Sequence, residues 1–138
     1  MDVTQIPFAK HIGIEHKDEG TLKLEPTNSV KNHIETIHAS AQYTLGETQS
    51  GLYLQLAFPE LAGKVVGLLR GSSVKYKSPA STSIYAQASI DEEVKEKFLS
   101  QLERKGRASI VVYVEVLDDD DVMTMQGDFS WFVQKIEV

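Results

Sequence analysis

Glu47 is the one charged residue between Ala39 and Pro59, a window of 21 positions. At the chain's 25% content of charged residues, about five would be expected there. A carboxylate among small and apolar neighbours is costly to desolvate unless it is hydrogen-bonded, protonated or reached by water. Desolvation also lifts a carboxyl pKa toward the range in which it serves as a general base. Nine residues upstream lies His38, and six before that lies Asn32. The segment reads Asn32-His33-Ile34-Glu35-Thr36-Ile37-His38-Ala39-Ser40-Ala41-Gln42-Tyr43-Thr44-Leu45-Gly46-Glu47. Each of these residues also has a plainer reading. Glu47 can be a hydrogen-bonded structural carboxylate, since structural networks perturb pKa values too. His38 reads as a helix-start residue ahead of a base, and Asn32 as a loop cap or a side chain that positions water.

The elements that hold this segment can be read around it. Residues 39–50 are rich in Ala, Ser and Gly with Tyr43 and Leu45 between them, and they predict a helix with Gly51 as its stop. Gly46 inside that helix marks a place where something approaches closely. A helix so poor in charge has no solvent face and should be enclosed. Upstream, residues 4–20 read as a short helical turn or arm leading into a strand, 21–25 as a strand ending at Pro26, and 26–32 as a loop. Downstream, alternation predicts strands over 52–58, 65–69, 74–77, 84–90, 109–116 and 122–133, the last two joined by a turn at 118–121. Asp91 as N-cap, Glu92 and Glu93 in the first turn, Arg104 and Lys105 in the last, and Gly106 after it frame a second helix. Its stripe of Val94, Phe98 and Leu102 should lie over the sheet. The order predicts an α+β fold, an antiparallel sheet bent around one central helix, in a single domain over residues 1–138.

Composition narrows the function. The chain has 138 residues, 14 Lys plus Arg against 20 Asp plus Glu for a net charge of −6, and no Cys. An acidic chain is a poor general binder of nucleic acid, and without Cys there are no disulfides, thiolate zinc sites or cysteine nucleophile. No apolar run is long enough to span a membrane and no leader is recognisable, so a cytoplasmic protein is expected. His11, His16 and His33 lack metal-ligand spacing with acidic partners. Asp118 to Asp121 lack the Gly and terminal Glu of a calcium loop. No metal and no cofactor are expected.

The Asn32, His38 and Glu47 spacing resembles the hot-dog fold acyl-CoA thioesterases, in particular the branch related to the phenylacetyl-CoA and 4-hydroxybenzoyl-CoA thioesterases. Their motif runs Asn, five residues, His-Gly-Gly, then a helix ending in Leu-Ala-Asp or a Glu equivalent. Asn32 falls on its Asn, His38 on its His, and Leu45-Gly46-Glu47 on its acidic tripeptide. Val74 to Ala80 resembles the family's strand ending in Pro, and 127–133 its last strand. The resemblance implies a hot-dog fold, hydrolysis of an acyl-CoA or related thioester, and Glu47 as base or nucleophile. CoA enters only as part of the substrate. It also implies a homodimer, possibly extended to a tetramer, whose active sites draw on both chains. Amides of Ala39 and Ser40 are implied to hold the thioester oxygen, with Asn32 orienting water or thioester. Tyr43 and Leu45 would line an apolar acyl pocket. Ala39 and Ser40 stand where the family has two glycines, which tightens that pocket and leaves a non-catalytic acyl-thioester binding domain as the competing reading. A dehydratase on this fold would carry a Pro-Gly motif that is absent here.

Overall fold

Alternating apolar side chains make the strands, and one long helix covers their shared apolar face. The computed structural model describes residues 1–136. After a 3-10 turn at Val3–Gln5 come α1 (Pro7–Ile12), β1 (Glu15–Asp18) and β2 (Thr21–Leu24). The central helix α2 (Ala39–Ala57) follows, then β3 (Val65–Tyr76), β4 (Ile84–Ser89), α3 (Glu92–Lys105), β5 (Arg107–Leu117) and β6 (Met123–Lys135). All six strands form one antiparallel sheet in the order β1-β2-β4-β5-β6-β3. In β5, Ala108, Ile110, Val112, Val114 and Val116 point inward and are buried, while alternate residues face out. Val112, Val114 and Val116, with Leu22, Leu24, Ile84, Met125 and Phe129, pack around Leu45 and Leu52 of α2. The fold is α+β, a sheet wrapped around a central helix: the hot-dog arrangement.

The predicted end of α2 is wrong. The helix runs through Gly51 to Ala57, and residues 52–57, Leu-Tyr-Leu-Gln-Leu-Ala, are its last turns and not a strand. No residue in that run is β-branched; Leu52 is buried, and Leu56, one turn nearer the helix end, is exposed. The stop is Pro59, which removes a donor and pushes Phe58 out of helical geometry, to φ −128° and ψ 62°. A second correction joins the strands predicted at 65–69 and 74–77. They are one 12-residue strand, β3, with a register shift between Leu69 and Gly71 that absorbs Arg70.

Several polar residues on the enclosed helix bond its backbone or tie it down. Thr44 and Thr48 hydroxyls donate to the carbonyls of Ser40 and Thr44 at 2.9 and 2.6 Å. The Gln49 carboxamide accepts from the Leu22 amide at 2.8 Å and donates to the Gly20 carbonyl at 2.9 Å, fastening α2 to the β1–β2 hairpin. Gly46 permits the close approach its position suggested. A Cβ there would lie 2.7 Å from Met125 Cε and 3.2 Å from Phe129 Cζ. The amphipathic helix α3 forms as expected and ends at Gly106 in the left-handed region (φ 74°), but Val94 of its predicted stripe, in the first turn, is exposed. Its Phe98 and Leu102 join Phe58, Ala108, Ile110 and Val133 in a second cluster beyond the C-terminus of α2. The 118–121 turn closes on itself: Asp118 accepts from the amides of Asp120 and Val122 at 2.9 and 3.0 Å.

Candidate active site

The start of α2 is built by the loop before it. Asn32 holds that loop: its Oδ1 accepts from the amides of Ile34 and Thr36, each at 3.0 Å, and its Nδ2 donates to Thr36 Oγ1 at 2.9 Å. One Nδ2 hydrogen is left over. His38 is the N-cap of α2, its Nδ1 accepting from the Ser40 amide at 3.0 Å, which puts the ring proton on Nε2. The amides of Ala41 and Gln42 both turn back to the His38 carbonyl, at 2.9 and 3.1 Å. Among the described residues, the Ala39 amide has no acceptor. Of the two amides expected to hold an oxyanion, one is therefore open and the other is engaged by a side chain.

That open amide sits at a cleft of about 310 Å³, lined by Asn32, Thr36, Ala39, Gln42, Tyr76 and Lys77 among others. Tyr76, at the end of β3, donates its hydroxyl to the Ala39 carbonyl at 3.1 Å, locking strand to helix start. Tyr43, one turn into α2, meets Ser72 of β3 hydroxyl to hydroxyl at 2.7 Å and stacks at a tilt on Phe129, ring centroids 5.3 Å apart. Leu45, expected to line an acyl pocket, is fully buried in the core and is not among the residues lining this cleft.

Ala39, Tyr43 and Glu47 are spaced by four and share one row along α2. Glu47 is half-buried, and burial alone pushes its carboxyl above the ordinary 4.5. Among the described residues its carboxylate has neither an ion pair nor a hydrogen bond. Its backbone is pinned instead: Ser50 Oγ donates to the Glu47 carbonyl at 2.6 Å and accepts from Trp131 Nε1 at 2.8 Å. Glu47 does not line the helix-start cleft. Eight residues of helix separate it from Ala39, about 12 Å of rise. The structure thus brings Asn32 and Ala39 together, places His38 and Ser40 at the exposed helix start, and holds Tyr43 and Glu47 farther along. Gln42 and Tyr76 were missed from sequence; core-facing spacing with Leu45, and a Tyr closing the strand before Pro79, were the available signals.

The fold and the acid carried on its central helix define a hot-dog domain. Residues 6–133 match the family described as a domain of unknown function, DUF4442, and the chain belongs to that family. No curated protein matches in sequence. Among solved structures, a Pseudomonas aeruginosa protein described as a probable thioesterase superposes with a TM-score of 0.83 at 16% identity, covering 97% of this chain and 91% of its own. A Bacillus halodurans protein solved with CoA gives 0.70 at 24% identity, over 91% of this chain and 74% of its own. A Haemophilus influenzae thioesterase gives 0.74 at 12% identity, over 96% and 86%. At these identities the likeness is one of fold.

Proposed function

We propose that this protein is a thioesterase that hydrolyses an acyl-CoA or related acyl thioester to the free acid and thiol. The observation that carries this reading is Glu47, a half-buried carboxylate lifted above 4.5 by burial and without a cation partner among the described residues. Such a group takes a proton from water more readily than an exposed carboxylate. Water then adds to the thioester carbonyl, the C–S bond breaks, and the proton passes from Glu47 to the departing thiolate. Direct attack by Glu47 to give a mixed anhydride is the variant of the same step. The open Ala39 amide, at the N-terminus of α2, stabilises the oxygen that gains charge. Ser40 adds its amide if the His38 ring releases it, His38 positions the helix start, and Asn32 offers its remaining hydrogen to water or thioester. Tyr43 stands between the two ends of the site. The CoA carried by the Bacillus halodurans structure supports a CoA thioester as substrate.

The distance between Glu47 and the cleft supports a homodimer, with Glu47 of one chain facing the cleft of the other across the exposed edge strand β3. We take the protein to act in the cytoplasm; no helix among the described residues is long and apolar enough to cross a membrane. The engaged Ser40 amide favours a second reading, a domain that binds acyl thioesters without cleaving them. Incubation with a panel of acyl-CoAs and detection of free thiol separates the two. Hydrolysis that falls by about 10²- to 10⁴-fold in Glu47→Gln supports the enzyme. Binding without thiol release supports the second reading.

A further inference from the structure

Of the buried polar side chains on α2, Gln42 is the one without a partner. It is 4% exposed and lines the helix-start cleft, and among the described residues its Oε1 receives no hydrogen bond. Thr44, Thr48, Gln49 and Ser50 on the same helix are all satisfied. Most of its polar neighbours in the cleft are engaged as well, the Lys77 ammonium and one Asn32 Nδ2 hydrogen being the exceptions among the described residues. Asn32 and Thr36 bond each other, Tyr76 gives its hydroxyl to Ala39, and Ser78 gives its own to the Met123 carbonyl at 3.0 Å. A buried carbonyl left without a donor is uncommon in a folded protein. The terminal bond of a Gln side chain turns freely between two orientations, so either end of the carboxamide can be presented to the cleft. The walls beside it are the apolar Ile34, Ile37 and Pro79. An acceptor beside an aliphatic wall is the complement of an alkyl chain that carries an N–H.

We propose that Gln42 is a specificity residue that accepts a hydrogen bond from a secondary amide in the thiol arm of the substrate, so that amide-bearing thiols of the pantetheine type are preferred over plain alkyl thiols. This rests on the thioesterase reading. The test compares one acyl group carried on N-acetylcysteamine and on pentanethiol, which match in length and differ in the amide. The wild-type protein should favour the amide-bearing thioester in kcat/KM. In Gln42→Leu that preference should shrink by roughly three- to tenfold, the worth of one hydrogen bond, mostly through KM. Gln42→Met repeats the measurement with an unbranched side chain. The melting temperature should hold or rise, because the variants remove an unsatisfied carbonyl. A preference that persists, or two substrates that decline in parallel with a lower melting temperature, overturns the assignment. Calorimetric titration with CoA keeps the two readings apart. If neither thioester is hydrolysed, the thioesterase reading fails, while CoA binding weakened roughly three- to tenfold in Gln42→Leu still supports Gln42. Equal binding by both proteins, or none by the wild type, overturns it.

Discussion

In the proposed mechanism, one proton on Glu47 links catalysis and stability. Its native pKa is raised above 4.5, so the folded protein holds that proton more tightly than the unfolded chain. Its contribution to stability is therefore full below pH 4.5 and is lost as pH rises through the native value. Glu47→Gln should gain in melting temperature relative to the wild type as pH climbs above 4.5, over the same window in which wild-type turnover increases. Thermal melts and rates across that range check both limbs. A variant that melts lower at neutral pH yet keeps its rate within a few-fold would mark Glu47 as structural. Ala39 offers a cleaner lesion. It is the first helical residue, where proline is tolerated, and His38 already has the extended geometry (φ −59°, ψ 140°) that a following proline requires. Ala39→Pro deletes one N–H and leaves the helix standing. Its kcat should fall by about 10²- to 10³-fold with unchanged circular dichroism. The isolation of Glu47 and the capping role of His38 are legible in the sequence because both depend on near neighbours. The state of Gln42 is not, because the residues that leave it unpaired lie ten before it and more than thirty after it.

At the scale of elements, the position of Glu47 depends on how tightly α2 lies on β6. Alanine is the better helix former, so by propensity alone Gly46→Ala would stabilise by about 1 kcal/mol. The added methyl also meets Met125 Cε, which can turn aside, and the Phe129 ring, which is fully buried and opposes that gain. We expect a net loss of about 1–3 kcal/mol, read as a lower midpoint in urea, because the added methyl overpacks a fully buried layer. An increase in stability would mean that α2 rides higher on the sheet than described. The same helix shows where a local pattern misleads. Leucines at 52, 54 and 56 alternate as in a strand, yet an alternating triplet does not distinguish a half-buried strand from the end of a helix enclosed on most sides. Gly51 looked like a stop because glycine often ends helices; here the indole of Trp131 lies across it, 3.5 Å from where a Cβ would be. Strands β4, β5 and β6 and helix α3 were legible because their periodicity runs over many residues and their ends carry ordinary turn or cap chemistry.

For the whole molecule, the separation of Glu47 from the helix-start cleft makes the proposed dimer testable without a structure of it. A preparation of Glu47→Gln and one of Ala39→Pro, each inactive, should regain activity when unfolded and refolded together. Random pairing restores roughly a quarter of the wild-type sites, because half the dimers are mixed and one of their two sites is intact. No recovery would place each site within a single chain. The fold also brings its sole tryptophan to an informative place. Trp131 occupies the space beside Gly51 of α2 and Gly67 of the edge strand, and its N–H reaches the Ser50 hydroxyl that in turn holds the Glu47 carbonyl. All indole emission from this protein therefore originates at one seam, where the helix carrying the acid meets the rim of the sheet. Closure of a second subunit over that rim, or a shift of the helix as ligand enters, registers as a change in a single native indole, with no label attached, when excitation is set to the red of tyrosine absorption.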